Sequence, residues 1–134
     1  MSTVLSLAAR LARLAALKDL IQLGGYLDFY MGAPPVTPDD APGATLLARM
    51  ALPTPVGALT QSAGLAVLTL TVPIATNCMA AGQIGWARFY SGAGTAGLLD
   101  LPAGVAADGT PLVLSATQVY TGGELQLLAC VLRE

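Results

Sequence analysis

The spacing of apolar residues changes character once along this chain, at the glycine pair Gly24 and Gly25. Before it, Val4, Leu7, Leu11 and Leu14 recur at the interval that stacks side chains on one helix face, and Ser6, Arg10 and Arg13 fall on another. The stretch 3–22, TVLSLAARLARLAALKDLIQ, is rich in Ala and Leu and free of Gly and Pro. It therefore predicts one N-terminal amphipathic helix, stopped by the glycine pair.

Beyond Gly25 the period becomes two. Tyr26, Asp28 and Tyr30 alternate with Leu27, Phe29 and Met31, and further short runs follow: TLLARMAL, LAVLTLTV at 65–72, IGWARFY at 84–90, GLLDLP, PLVLSATQVY and ELQLLACVL. Pro and Gly clusters separate them, and ADGTP at 107–111 and TGGE at 121–124 place Gly where a turn needs positive φ. About seven strands without intervening helices predict a mainly β fold, an antiparallel β-sandwich or jelly roll, rather than a parallel α/β sheet. The expected organisation is a single domain, with the helix in 1–24 and the sandwich in 25–134. Asp28 in the outward set marks 26–31 as an edge or one-sided strand. The last run becomes apolar on both faces and is expected to lie centrally.

Composition sharpens the picture. Hydrophobic residues make up 54% of the chain and charged ones 10%, so disorder is excluded over most of it. So few charges cannot cover a domain of 134 residues, and part of the exterior must be small and neutral or apolar, the mark of a partner site. Six scattered Lys and Arg under a net charge of −2 argue against nucleic acid as a partner. Arg10, Arg13 and Lys18 interrupt the N-terminal apolar run, which argues against a signal peptide and a membrane span. The two cysteines, Cys78 and Cys130, read as free buried thiols or as one disulfide.

Reactive groups are scarce. Histidine is absent, so Ser62, Ser91 and Ser115 lack the base of a hydrolytic triad, and two cysteines alone make no usual zinc site. Asp39 and Asp40 are the only adjacent acids, and without further spaced oxygen ligands they read as turn formers rather than a calcium loop. YSGAGTAG at 90–97 is glycine-rich, but with no following Lys or helix it reads as a hairpin connection, not a phosphate cradle. Neither catalysis, cofactor nor metal is expected. Trp86, Arg88 and Tyr90 share one strand face, either as core filling or as an aromatic contact platform.

Several stretches together resemble a known class. A leader helix ending in Gly, the strand Tyr26 to Gly32, the loop Pro34 to Pro42, the run Trp86 to Tyr90 and the turn at Gly122 and Gly123 are similar to the small virion structural proteins of tailed bacteriophages. Capsid cementing (decoration) proteins of jelly-roll fold are the nearest of these. The resemblance implies a protein on the capsid exterior, made in the host bacterial cytoplasm, that bridges neighbouring major capsid protein subunits as a homodimer, with no cofactor or catalytic residue to transfer. Leu7, Leu11 and Leu14 of the helix, Pro34, Pro35 and Pro38 of the loop, and Trp86, Arg88 and Tyr90 are the expected contact residues. Prolines restrict a long loop before it binds and so lower the entropy lost on contact. Two other readings stay open: a tail or head-tail adaptor, and a carbohydrate-binding jelly roll that stacks sugars on Trp86 and Tyr90.

Overall fold

A computed structural model describes residues 6–22, 24–91 and 97–133. Helix α1 (Leu7–Gln22) starts where the Ser6 hydroxyl accepts the Ala9 amide at 3.2 Å, an N-cap bond that satisfies one otherwise orphaned donor. It ends where Gly24 takes φ 82° and the Gly25 amide returns to the Ile21 carbonyl at 3.1 Å. Leu7, Leu11, Leu14, Leu17 and Ile21 form the stripe that packs on the core. Val4 lies outside the described residues.

Ten strands follow among the described residues: β1 (Tyr26–Met31), β2 (Leu46–Ala51), β3 (Gly57–Ser62), β4 (Leu65–Leu70), β5 (Ile74–Asn77), β6 (Gly82–Tyr90), β7 (Gly97–Gly104), β8 (Leu112–Leu114), β9 (Gln118–Val119) and β10 (Glu124–Arg133). They form one curled mixed sheet in the order β2-β1-β6-β7-β8-β10-β4-β3, with β5 beside β10 and β9 beside β6. The curl brings the outer edge of β2 back to the segment around β5. There the Met79 amide donates to the Leu47 carbonyl at 2.8 Å, and the Thr76 hydroxyl donates to the Arg49 carbonyl at 2.9 Å. Leu27, Phe29, Leu68, Phe89, Leu125 and Leu127 meet in the one core, and α1 lies across β3 and β4.

The mainly β class and the N-terminal helix stand as expected. Three expectations need correction. The sheet is not wholly antiparallel, because β8 runs parallel to β7, with Ala103 opposite Leu112 and Gly104 opposite Val113. The intervening 105–111 segment, which holds a short 3₁₀ turn at Ala106–Asp108, is short for a crossover, and the parallel contact is confined to those two pairs. Strand β1 is not an edge, since it lies between β2 and β6 and Asp28 is buried. Strands β3 and β5 carry no long apolar run and escape the pattern, although β3 and β4 are joined by the tight turn Ala63 and Gly64, with φ 52° and 78°.

Strand β10 is central, with β8 on one side and β4 and β5 on the other. Its alternation is not continuous. Leu125 and Leu127 are buried, then Cys130 and Leu132, while Leu128 is 45% exposed. A register shift between Leu127 and Ala129 inserts the extra residue that moves the buried phase from odd to even positions.

Candidate functional site

One face of the β2-β1-β6-β7 wall carries Met50, Leu27, Phe29, Ala87 and Phe89 into the core. The other face carries charges and aromatic rings in cross-strand register. Arg49, Asp28, Arg88 and Asp100 stand opposite one another on the four adjacent strands, alternating in sign. Tyr26 pairs with Tyr90 and Tyr30 with Trp86 on the rows either side. Cross-strand neighbours are close enough for such pairs to interact. Tyr26 stacks on Tyr90 with ring centroids 4.9 Å apart, and Tyr30 on Trp86 at 4.7 Å.

Every charge in this lattice has a partner. The Arg49 guanidinium donates to both oxygens of Asp28 at 2.8 and 2.9 Å and lies over the Tyr26 ring. Tyr30 donates to Asp28 at 3.4 Å and shares a 3.2 Å hydrogen bond with the Tyr90 hydroxyl. Arg88, only 2% exposed, donates to both oxygens of Asp100 at 2.6 and 3.0 Å. Bidentate, charge-assisted geometry of this kind is what lets a buried ion pair offset its desolvation. Burial and the bond to Tyr90 push the Tyr30 phenol well above its ordinary range, and Asp100 holds Arg88 firmly in its cationic form. Near neutral pH Tyr30 is therefore held as a neutral phenol and Arg88 as a cation.

The remaining bonds of Arg88 reach the proline-rich loop. It donates to the Asp40 carbonyl at 2.7 Å and to the Thr37 carbonyl at 3.4 Å. Asp40 shapes that turn, its carboxylate accepting the Thr37 amide and its amide donating to the Thr37 carbonyl; the Thr37 hydroxyl accepts the Asp39 amide. Both residues lie in the turn expected from the sequence, Asp40 bonding through its carboxylate and Asp39 through its main-chain amide. At Gly97 a side chain would come within 2.6 Å of the Pro38 carbonyl, so the loop closes down directly onto β7. The middle of the loop is bolted to the sheet, while Val36, next to the first bolted residue, is left outside at 96% exposure.

The expected contact residues divide accordingly. Pro34 is exposed and Pro35 and Pro38 are half-buried, so the loop remains available to a partner. Trp86 is fully buried, with its indole N–H donating to the Met31 carbonyl at 3.0 Å and its ring stacked on Tyr30, so it fills the interior and offers no face to a partner or a sugar. Arg88 is likewise consumed inside, and Tyr90 is half-buried against Tyr26. Leu14 is buried and Leu7 and Leu11 are half-buried on the chain's own core, which removes the helix stripe as an outward contact face. The glycine-rich 90–97 stretch lies mostly outside the described residues, but β6 and β7 on either side of it are antiparallel neighbours. Cys78 and Cys130 are free and buried, and burial raises both thiols.

The sequence reading missed Asp28, Arg49, Asp100 and Val36 as site residues. A signal for the first three was present, because each is a lone charge in the middle of an apolar strand, and such charges need one another. No helix among the described residues is long and apolar enough to cross a membrane. No protein-family model matches this chain, no curated protein matches it, and no solved structure matches its fold.

Proposed function

We propose that this protein is a structural component of a tailed-bacteriophage virion, a cement that binds the capsid exterior and bridges neighbouring major capsid protein subunits. The observation that carries the reading is the bolted loop. A buried arginine, a buried carboxylate and several prolines fix a segment in which an apolar side chain, Val36, stands in solvent. In an adhesive protein that rigidity presents a preordered apolar contact at low entropic cost. Repetition over a shell turns a modest single contact into strong retention.

A core shared by Leu27, Phe89, Leu68 and Leu125 from distant strands of the curled sheet supports the reading of a sandwich of jelly-roll type. Strand β3 supports the dimer. Among the described residues it pairs only with β4, and its GALTQS sequence lacks the charge or proline that normally blunts an edge. A second copy joined there by a two-fold axis would let one particle span two subunits.

Recombinant protein mixed with purified shells of the phage that encodes it should sediment with them, and Val36→Asp should abolish co-sedimentation without changing the melting temperature. Failure of the unaltered protein to bind shells, or full binding by the variant, overturns the reading. Labelling of tails in negative stain would place it with the adaptors instead. Thr60→Lys on the β3 edge should convert the dimer to a monomer by native mass.

A further inference from the structure

The sole tryptophan of the chain begins a run of aromatic rings that leads from the interior to the surface. Trp86 is fully buried and stacks on Tyr30 with ring centroids 4.7 Å apart. Tyr30 is buried too and shares a 3.2 Å hydrogen bond with the hydroxyl of Tyr90, which is half-buried and stacks in turn on Tyr26. Neighbours in the run are in ring contact or joined by a hydrogen bond, close enough for an electron to cross from one to the next without a carrier. Filling space explains the stacking of the rings but not the polar groups set around them.

Those groups give the run a direction. The Trp86 indole N–H donates to the Met31 carbonyl at 3.0 Å, and a carbonyl is too weak a base to take its proton, so an oxidised indole stays a radical cation, its more strongly oxidising form. The Arg88 guanidinium lies over the Trp86 ring, 5.3 Å from its centroid, an attraction for the neutral indole that turns into a repulsion once the ring is positive. Tyr30 instead donates to the Asp28 carboxylate at 3.4 Å, a base able to receive the proton that a phenol gives up on losing an electron. With Tyr30 donating to Asp28, its oxygen accepts from Tyr90. An electron vacancy on Trp86 is therefore drawn to Tyr30 and on to Tyr90.

We propose that Trp86, Tyr30 and Tyr90 form a one-electron relay that carries oxidising equivalents from the core to the surface, a role that needs no capsid. A one-electron oxidant, or light that ejects an electron into a dissolved acceptor, first removes an electron from the indole. The Trp86 radical cation takes an electron from Tyr30 as the Tyr30 hydroxyl proton passes to Asp28, leaving a neutral indole, a phenoxyl radical and a carboxylic acid. Tyr90 then gives its hydroxyl hydrogen, proton and electron together, to the Tyr30 oxygen. A small thiol in solution returns a hydrogen atom to Tyr90, the thiyl radicals join in pairs as disulfide, and Asp28 releases its proton to water.

The full-length protein is flashed at the red edge of its ultraviolet absorption, where only the indole absorbs, with cobalt(III) hexaammine present to take up the ejected electron. The visible band of the indolyl radical should decay as the narrower, shorter-wavelength band of a phenoxyl radical rises, and more slowly in heavy water, because the phenol proton moves with the electron. Tyr30→Phe, which keeps the ring stack, should abolish the rise and prolong the indolyl band, whereas Tyr120→Phe, at an exposed position, should leave both unchanged. Tyr90→Phe should keep the phenoxyl but slow its reduction by added glutathione, since the radical then stays buried on Tyr30. Indolyl decay without a phenoxyl rise, a rise that survives Tyr30→Phe or is lost in Tyr120→Phe, equal rates in heavy and light water, or reduction unchanged by Tyr90→Phe would each overturn the relay. The heavy-water comparison uses the unaltered protein and so decides even where a variant fails to fold.

Discussion

Replacing Arg88 with Met keeps most of the side-chain length and removes the guanidinium. Two consequences separate by burial. The Asp100 carboxylate, with its side chain only 9% exposed, loses both of its hydrogen bonds from Arg88 and cannot recover full hydration. Stranding a buried charge in this way costs about 3–5 kcal/mol. The Thr37 and Asp40 carbonyls belong to an exposed turn, so water replaces the lost donors and their share of the loss is small. A domain has about 5–15 kcal/mol in all, so Arg88→Met should lower the unfolding free energy by about a fifth or more and the melting temperature by roughly 10–20 °C. Adding Asp100→Leu removes the stranded charge and should restore the stability to within about 1–2 kcal/mol of the starting protein. The loop should not recover with it, because its bolt is missing in both variants. Urea unfolding reads the first effect, and cleavage within 33–43 by a nonspecific protease reads the second. A loss in the single variant below about 1 kcal/mol, as for a surface pair, would refute the reasoning, as would a double variant no more stable than the single.

Gly97→Ala should cost about 1–3 kcal/mol and speed cleavage of the same loop, since its methyl would meet the Pro38 carbonyl and the Arg88 side chain; unchanged unfolding and proteolysis would contradict the close approach. Burial pushes the Cys130 thiol up to about 12, whereas an unfolded thiol ionises near ~8.5. The folded chain keeps a proton that the unfolded chain releases, so this contribution is complete below about pH 8.5 and is lost as pH rises through about 12. By pH 10 the loss is about 2 kcal/mol, read as a fall in urea midpoint from pH 7 that Cys130→Ala largely removes. Trp86 is the sole tryptophan and is fully buried, so native emission should be blue-shifted and resist acrylamide, moving red only on unfolding; ready quenching of the folded protein would place the ring outside.

Local pattern made the helix, the alternation of β1 and β6 and the turns at Gly109 and Gly122 legible, because each depends on residues near in sequence: the 3.6 and 2.0 periods, Ala and Leu propensity, and positive φ at Gly. The helix stripe of Leu7, Leu11 and Leu14 was equally legible, but not what it would cover. A stripe states that something must bury it, and only the placement of β3 and β4 beneath α1 decided that the cover was internal.

The site divides along the same line. That Trp86, Arg88 and Tyr90 share a face follows from alternation alone; that Arg88 finds Asp100 across β7, and carbonyls in a loop some fifty residues earlier, follows from strand order. Asp28 looked outward because an unpaired carboxylate is excluded from an apolar interior, a rule suspended once Arg49 arrives in register on the next strand. The bulge in β10, which hides Cys130 and exposes Leu128, left no local trace, since it answers to how β8 and β4 seat on either side. Short-range preferences are settled within a few residues of chain. The partners of a buried charge and the phase of a central strand are settled by which strands lie side by side, and that only the curled sheet decides.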